Sequence, residues 1–384
     1  MRICIFAKPD AVHTRRVVAG LVERGFSVRV MFNGPGEVPG ATYEPFKVPD
    51  LKVHKPMRRD LRRYRYLRAI FDRHDLVAAF FLHHWALDRE AVGDGRLVVW
   101  PWGSDVCPPP VGTAPSAATL NRRRTMLRSA TDICTCGEWF ADQVADFAGV
   151  RRRRISICPL GVDTNRFRPG DGERGGMIVG FMKGFGGAYG STDWVRAIPR
   201  VVTAHPATRF EMVGGGPLLD QCRQLAHRLG VDGAIDWLPP QPHDRMPDII
   251  SRWTVSVMPS LTESFGVAAL ECAACGVPVV ASRVGGFCET VRDGQTGLLT
   301  DPNDPRGLAD AVIGLLSDPA RRRAMGDAGR RFVIERYEWR DCADRWADYL
   351  TSAARPAERD IAAGRTGARG VRVARTRQPQ GVTP

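Results

Sequence analysis

The chain has 384 residues, 43% of them hydrophobic and 25% charged, with a formal net charge of +13. That length exceeds one ordinary domain and suits two, and the composition supports full cores, which excludes a fibrous or wholly disordered chain. No apolar run approaches the ~18–20 residues of a membrane span, and the start lacks a secretory signal's longer apolar region, so a cytoplasmic protein is expected.

The first apolar run, Arg2–Ala7, predicts a buried strand, followed by a helix near His13–Arg24 and a strand over Ser27–Phe32. Lys8-Pro9-Asp10 leaves the first strand where a dinucleotide-binding dehydrogenase would carry G-x-G-x-x-G, and Gly34-Pro35-Gly36 is not followed by a helix start. Arg58–Phe71 places Leu61, Tyr64, Leu67 and Ile70/Phe71 on one stripe with six arginines around it. An amphipathic helix packed on a core accounts for that pattern. The sharper alternative is a basic surface, Arg58–Arg68, touching an anionic membrane at its inner face. Strands are expected over Leu76–Phe81, Leu97–Pro101 and Asp132–Cys136, and Arg154–Pro159 closes this half.

Gly161–Gly170 is polar and bounded by Pro and Gly, as an interdomain linker would be. A second set of strands follows at Gly176–Gly180, Phe210–Val213, Ile235–Leu238, Val255–Met258 and Pro278–Ala281. Apolar runs alternating with helical patterns predict doubly wound parallel sheets. The expected organisation is an N-terminal Rossmann-like domain over 1–160, the linker 161–170, a second Rossmann-like domain over 171–331 and a terminal helix over 332–350. Residues 352–384 are rich in Arg, Gly and Pro with few large apolar residues, which predicts a basic disordered tail. The charge suits an anionic partner but no nucleic-acid recognition module is present, so no specific nucleic acid is expected. Ten scattered cysteines are expected to be reduced, and Cys272 and Cys275 to pack a helix rather than bind zinc.

In open parallel sheets ligands bind beyond the carboxyl ends of strands, and the chemistry-bearing residues cluster there. The densest segment runs from Pro259 to Ala281. Glu263 lies in a loop after a strand, a helix is expected to open around Ser264, and free first-turn amides suit a diphosphate. Glu271 follows eight residues later, about 12 Å along a helix axis. That span suits two ends of a sugar nucleotide. The bland alternative is a surface helix with two incidental acids.

This segment resembles the E-x7-E region of retaining glycosyltransferases of family 4, which have the two-domain GT-B fold. Met212–Pro217 resembles that family's Gly-rich turn, Val284–Leu299 its GGxxExVxxGxTGLL segment, and Ile157–Phe167 its PxGVDxxxF linker. Pro101–Asp105 and His13–Arg16 resemble N-terminal elements of one branch. The resemblance implies an α/β GT-B architecture in which two Rossmann-like domains face a central cleft. The N-terminal domain would take the acceptor, the C-terminal domain the donor, and the terminal helix would cross back to brace the first domain.

It further implies that Glu271 accepts from the ribose hydroxyls and Glu263 contacts the transferred sugar. Ser264, Phe265, Gly266, Val267, Gly214, Gly215, Gly216, Gly285 and Gly286 would shape the donor site. Lys183 is the expected phosphate cation, because Phe181 stands where the family usually has Arg and Ala188 replaces a second Lys. Asp105 is the leading acid/base or sugar-positioning candidate, and His13 a second; either could instead cap a turn or helix. His83 and His84 are candidate acceptor-side residues. No D-x-D triplet occurs, so no essential metal and no cofactor is expected beyond a UDP- or GDP-linked sugar as co-substrate. The expected activity is transfer of a hexosyl group, with retention, to a lipid-linked, glycan or small-molecule hydroxyl. The alternative is a catalytically silent, sugar-nucleotide-binding subunit of a glycosyltransferase.

Overall fold

The computed structural model describes residues 1–32, 34, 36–45, 56–82, 87, 92–107, 114–170 and 176–355. Two parallel sheets organise them. The first has the order β3-β2-β1-β4-β5-β6-β7, built from β1 (Arg2–Phe6), β2 (Ser27–Phe32), β3 (Thr42–Pro45), β4 (Leu76–Phe80), β5 (Leu97–Trp100), β6 (Asp132–Thr135) and β7 (Ile155–Ile157). The second has the order β10-β9-β8-β11-β12-β13, built from β8 (Ile178–Phe181), β9 (Arg209–Val213), β10 (Ile235–Leu238), β11 (Val255–Met258), β12 (Val279–Ser282) and β13 (Gly297–Thr300). Every residue of β4, β5, β11 and β12 is buried, as helices on both faces of a parallel sheet require. The chain thus folds as two Rossmann-like domains.

Each sheet reverses its strand order once, between β1 and β4 in the first and between β8 and β11 in the second. A crevice opens at such a switch point. The exits of β1, β4 and β5 face those of β8 and β11, which brings the loops after these strands into one cleft.

The two covalent crossings between the domains run side by side. Val162 pairs with Glu338 as an isolated parallel bridge, its N–H donates to Tyr337 O at 2.8 Å and its carbonyl accepts from Trp339 N at 3.0 Å. The expected single terminal helix over 332–350 is instead two, Pro319–Tyr337 and Trp339–Ala354, broken at Glu338 where the backbone turns extended. Phe332 and Val333 belong to the second domain's side of that break. Only the last helix crosses back, laying Ala343 and Trp339 against the helix Val12–Glu23. Gly20 permits this approach, since a Cβ there would stand 3.0 Å from Ala343 Cβ. Trp346 is 1% exposed and donates through Nε1 to Pro159 O at 2.8 Å.

The helix Pro56–Arg73 forms as expected, and Leu67, Ile70 and Phe71 are buried against the first sheet. The side chains of residues 56–63 lie outside the described residues, and with them most of the proposed basic membrane face; in its described part Tyr64 is exposed and Arg68 pairs with Asp72. The expected tail starts later than 352, because residues 352–354 complete the last helix, and 356–384 lie outside the described residues. Among the described residues no helix is long and apolar enough to cross a membrane. Cys272 and Cys275 are fully buried, and Cys272 Sγ lies 3.3 Å from Ser256 Oγ.

Candidate active site

The cleft holds a cavity of about 860 Å³ lined from both domains. The first domain contributes Lys8, His13, Thr14, Phe81, Trp102 and Ser104, and the second Lys183, Tyr189, His243, Glu263 through Ala268, and Glu271.

Glu263 precedes a helix that begins at Val267 and ends at Ala274, with Gly266 as its N-cap at φ +92°. The expected opening at Ser264 is therefore three residues early, and the ~12 Å helical separation of Glu263 from Glu271 does not apply. The cause is local. Gly266 takes a left-handed conformation, and a Cβ there would meet Phe287 at 2.8 Å, so the chain arrives at the helix through a tight turn. First-turn amides at Val267 and Ala268 have no acceptor within the helix and belong to cavity-lining residues.

Lys183 Nζ lies 2.5 Å from Glu263 Oε2, and both side chains are nearly buried. The ammonium also sits 5.4 Å from the ring centre of Tyr189 and 5.6 Å from that of Phe287. Burial pulls its pKa down, but the Glu263 carboxylate outweighs that and holds the pKa above its ordinary value. Phe181, at the position where a cation was expected, is fully buried against Phe185. Ala188 lines the cavity.

Glu271 is 5% exposed and accepts from Arg16 Nη2 at 2.7 Å, across the cleft. His243 Nε2 lies 2.9 Å from the same oxygen and 2.8 Å from Arg16 Nη2. One tautomer of His243 donates to Glu271 and the other accepts from Arg16. Burial pushes the Glu271 pKa up; the His243 contact and the Arg16 charge reverse this and hold it below the ordinary carboxylate value.

His13 stands edge-on to Trp102 with ring centres 5.6 Å apart, and its Nδ1 is buried without a partner. Burial, reinforced by the Arg16 charge, lowers its pKa to about 4, so the imidazole is neutral at pH 7. Asp105 is placed differently from the expectation. It is fully buried, it is not among the lining residues, and its carboxylate accepts from the amides of Leu82 at 2.9 Å, Gly103 at 2.8 Å and Trp102 at 3.2 Å. Burial raises its pKa and these amides oppose the rise. With its oxygens committed to backbone donors, Asp105 shapes the loop that presents Trp102 and Ser104 and does not reach the cavity.

The glycines also divide. Gly214, Gly215 and Gly216 pack under the Lys183–Phe185 segment rather than lining the cavity: Phe185 N donates to Gly215 O at 3.0 Å. Gly286 N donates to Glu263 O at 2.9 Å, and a Cβ on Gly285 would stand 2.0 Å from that same oxygen. This pair therefore moulds the Glu263 loop. Ser264 Oγ donates to Trp102 O at 2.8 Å, joining the donor-side loop to the first domain. Phe265 lines the cavity and packs edge-on to Tyr337. His83 and His84 lie outside the described residues. His243 was not anticipated, although its place beyond the exit of β10 is where a strand-end rule would have looked.

Solved structures share this architecture. Sucrose-phosphate synthase from Thermosynechococcus elongatus superposes with a TM-score of 0.76 at 20% identity, covering 92% of this chain and 98% of that one. HepE of Anabaena, solved in complex with UDP and glucose, gives 0.76 at 18% identity over 92% and 100%. At such identities the likeness concerns the fold. Residues 11–166 match the family model described as Glycosyltransferase Family 4, and residues 165–332 that described as Glycosyl transferases group 1. The chain belongs to the GT-B glycosyltransferases. Among curated relatives of this GT-B chain, a D-inositol 3-phosphate glycosyltransferase of Acidothermus cellulolyticus is 40% identical over 203 residues, which are 48% of this chain and 45% of the relative. A GDP-mannose-dependent phosphatidylinositol monomannoside mannosyltransferase of Mycolicibacterium smegmatis is 36% identical over 51% and 56%. The chain thus spans about half the length of the curated relatives it matches.

Proposed function

We propose that this chain is a retaining, metal-independent glycosyltransferase that moves a hexosyl group from a UDP- or GDP-linked sugar to a hydroxyl acceptor. The observation that carries the proposal is one interdomain cavity holding the Lys183–Glu263 pair at one place and the buried, ionised Glu271 at another. Glu271 would accept from ribose hydroxyls and Glu263 from the transferred sugar. Lys183, drawn from Glu263 by the diphosphate, would share with the amides of Val267 and Ala268 the charge of the leaving group. In the transfer, the bond from the sugar's anomeric carbon to the diphosphate breaks. A bond from the acceptor oxygen to that carbon forms on the same face, and the acceptor proton passes to the departing phosphate oxygen. Neutral His13 would hold a sugar hydroxyl, and Asp105 acts as a positioning residue through the Trp102–Ser104 loop.

Calorimetric titration with UDP, GDP, ADP, TDP and their common sugars tests this. One nucleotide should bind preferentially, and Glu271→Ala should weaken it by at least about tenfold, the loss of a hydrogen-bonded charge. Failure of a folded chain to bind any of them would overturn the donor site. NMR of the product anomer tests retention, since inversion would refute it. Binding without turnover on any acceptor would point instead to a catalytically silent subunit.

A further inference from the structure

Outside the cavity the two domains meet at a second built contact. The helix Glu138–Ala148 of the first domain opens against the second domain, and a carboxylate from that domain caps it. Glu289 Oε2 accepts from Glu138 N at 2.9 Å and Glu289 Oε1 from Trp139 N at 2.7 Å. These are first-turn amides without acceptors in their own helix, at its positive end, so the acidic group satisfies two donors and meets a favourable dipole. The helix's own N-cap, Gly137, provides no side-chain cap. A Cβ on Gly137 would stand 3.0 Å from Glu289 Oε2 and 3.2 Å from Phe265, so a side chain there would crowd the docked carboxylate. On the other side, a Cβ on Gly285 would meet the Trp139 ring at 3.0 Å. Glu289 sits three residues past Gly286, whose amide holds the Glu263 carbonyl.

We infer that Glu289 is an interdomain positioning residue: by capping the Glu138–Ala148 helix it clasps the first domain over the Gly285–Gly286 turn and the Glu263 loop. No part of it touches the cavity, so it acts on transfer through the closed arrangement of the domains and not through nucleotide affinity. The catalytic consequence rests on the donor-site reading above; the clasp itself does not.

The test uses the full chain, with Glu289→Ala, Glu289→Gln and Gly137→Ala compared with wild type. Hydrogen–deuterium exchange of the peptide containing Glu138 and Trp139 should accelerate in Glu289→Ala, and small-angle scattering should show a larger radius of gyration. Gly137→Ala, which leaves the carboxylate in place but obstructs its seat, should do the same. Glu289→Gln keeps one carbonyl acceptor and should fall between. Transfer should lose about tenfold in kcat/KM in Glu289→Ala, the loss of one net charge-assisted hydrogen bond, while the Kd of the preferred nucleoside diphosphate stays unchanged. Unaltered exchange and scattering would overturn the clasp. Faster exchange with unaltered kcat/KM would overturn its role in positioning. Absence of turnover in wild type would refute the functional reading while leaving the exchange and scattering result to judge the clasp.

Discussion

His13 shows how a single side chain converts placement into pH dependence. Burial and the neighbouring Arg16 lower its pKa from 6.5 to about 4. Between those values the unfolded chain binds a proton that the folded chain refuses, so stability rises with pH across the window and falls as pH drops through it. The contribution is on the order of 3 kcal/mol. Chemical denaturation of His13→Asn should therefore show a shallower loss of stability from pH 6.5 towards pH 4 than wild type. Equal slopes would mean that His13 titrates normally in the folded chain. His13 and Arg16 stand in one short motif on the helix Val12–Glu23, whereas the contact of His13 with Trp102 joins two separate motifs and was not foreseen. The pairing of Glu271 with Arg16 did not, because the partners are 255 residues apart and nothing periodic links them. Glu263 and Glu271 were legible because both stand in one strand–loop–helix segment. Asp105 was legible as a strand-exit carboxylate but not as a buried acceptor of backbone amides. That distinction depends on which way a strand-exit loop folds over its own carboxylate.

At the scale of elements, buried parallel strands announced themselves as apolar runs, and β2, β10 and β11 fall where those runs lie. The two missed strands explain themselves. β3 is Thr-Tyr-Glu-Pro, four residues at a sheet edge with one large apolar side chain, and β13 is the Gly-Leu-Leu-Thr end of a motif read for its glycines. Helix starts were harder, because the decisive residues are glycines in the left-handed region. Gly190 is the N-cap of the helix Ser191–Ala204 at φ +61°, and a Cβ there would lie 1.9 Å from Pro259 O. Both the backbone angle and the space exclude alanine. Gly190→Ala should destabilise the chain by about 2–4 kcal/mol, combining left-handed strain with overpacking against a backbone atom. The midpoint of urea denaturation measures it. A change under 0.5 kcal/mol would show that the β11 exit yields freely. Because Pro259 leads into the Glu263 loop, the variant should also weaken nucleotide binding.

At the scale of the whole molecule, the first domain is finished by the end of the chain. Its sheet, its helix Val12–Glu23 and its last strand leave an apolar surface that the helix Trp339–Ala354 covers, after the chain has run through the second domain and returned beside Val162. The family resemblance suggested such a brace, yet the break at Glu338 was invisible because no Gly or Pro stands near it to mark a helix end. Trp346 concentrates the contact. It is buried, packs edge-on to Trp100 and Trp339 with ring centres 6.0 and 5.3 Å away, and donates to Pro159 O beside the linker. Trp346→Ala should cost about 3–5 kcal/mol, the range for emptying a buried tryptophan site, read as a shift in the denaturation midpoint. The donor-side residues Lys183, Glu263 and Glu271 stand on the second domain, whereas Trp346 packs on Trp100 and bonds to Pro159 of the first. Nucleotide affinity below the transition should therefore remain at the wild-type value while stability drops. A joint fall in both would mean that the brace also sets the geometry across the cleft, with Arg16, on the helix that Trp339 and Ala343 hold, as the route by which the disturbance reaches Glu271.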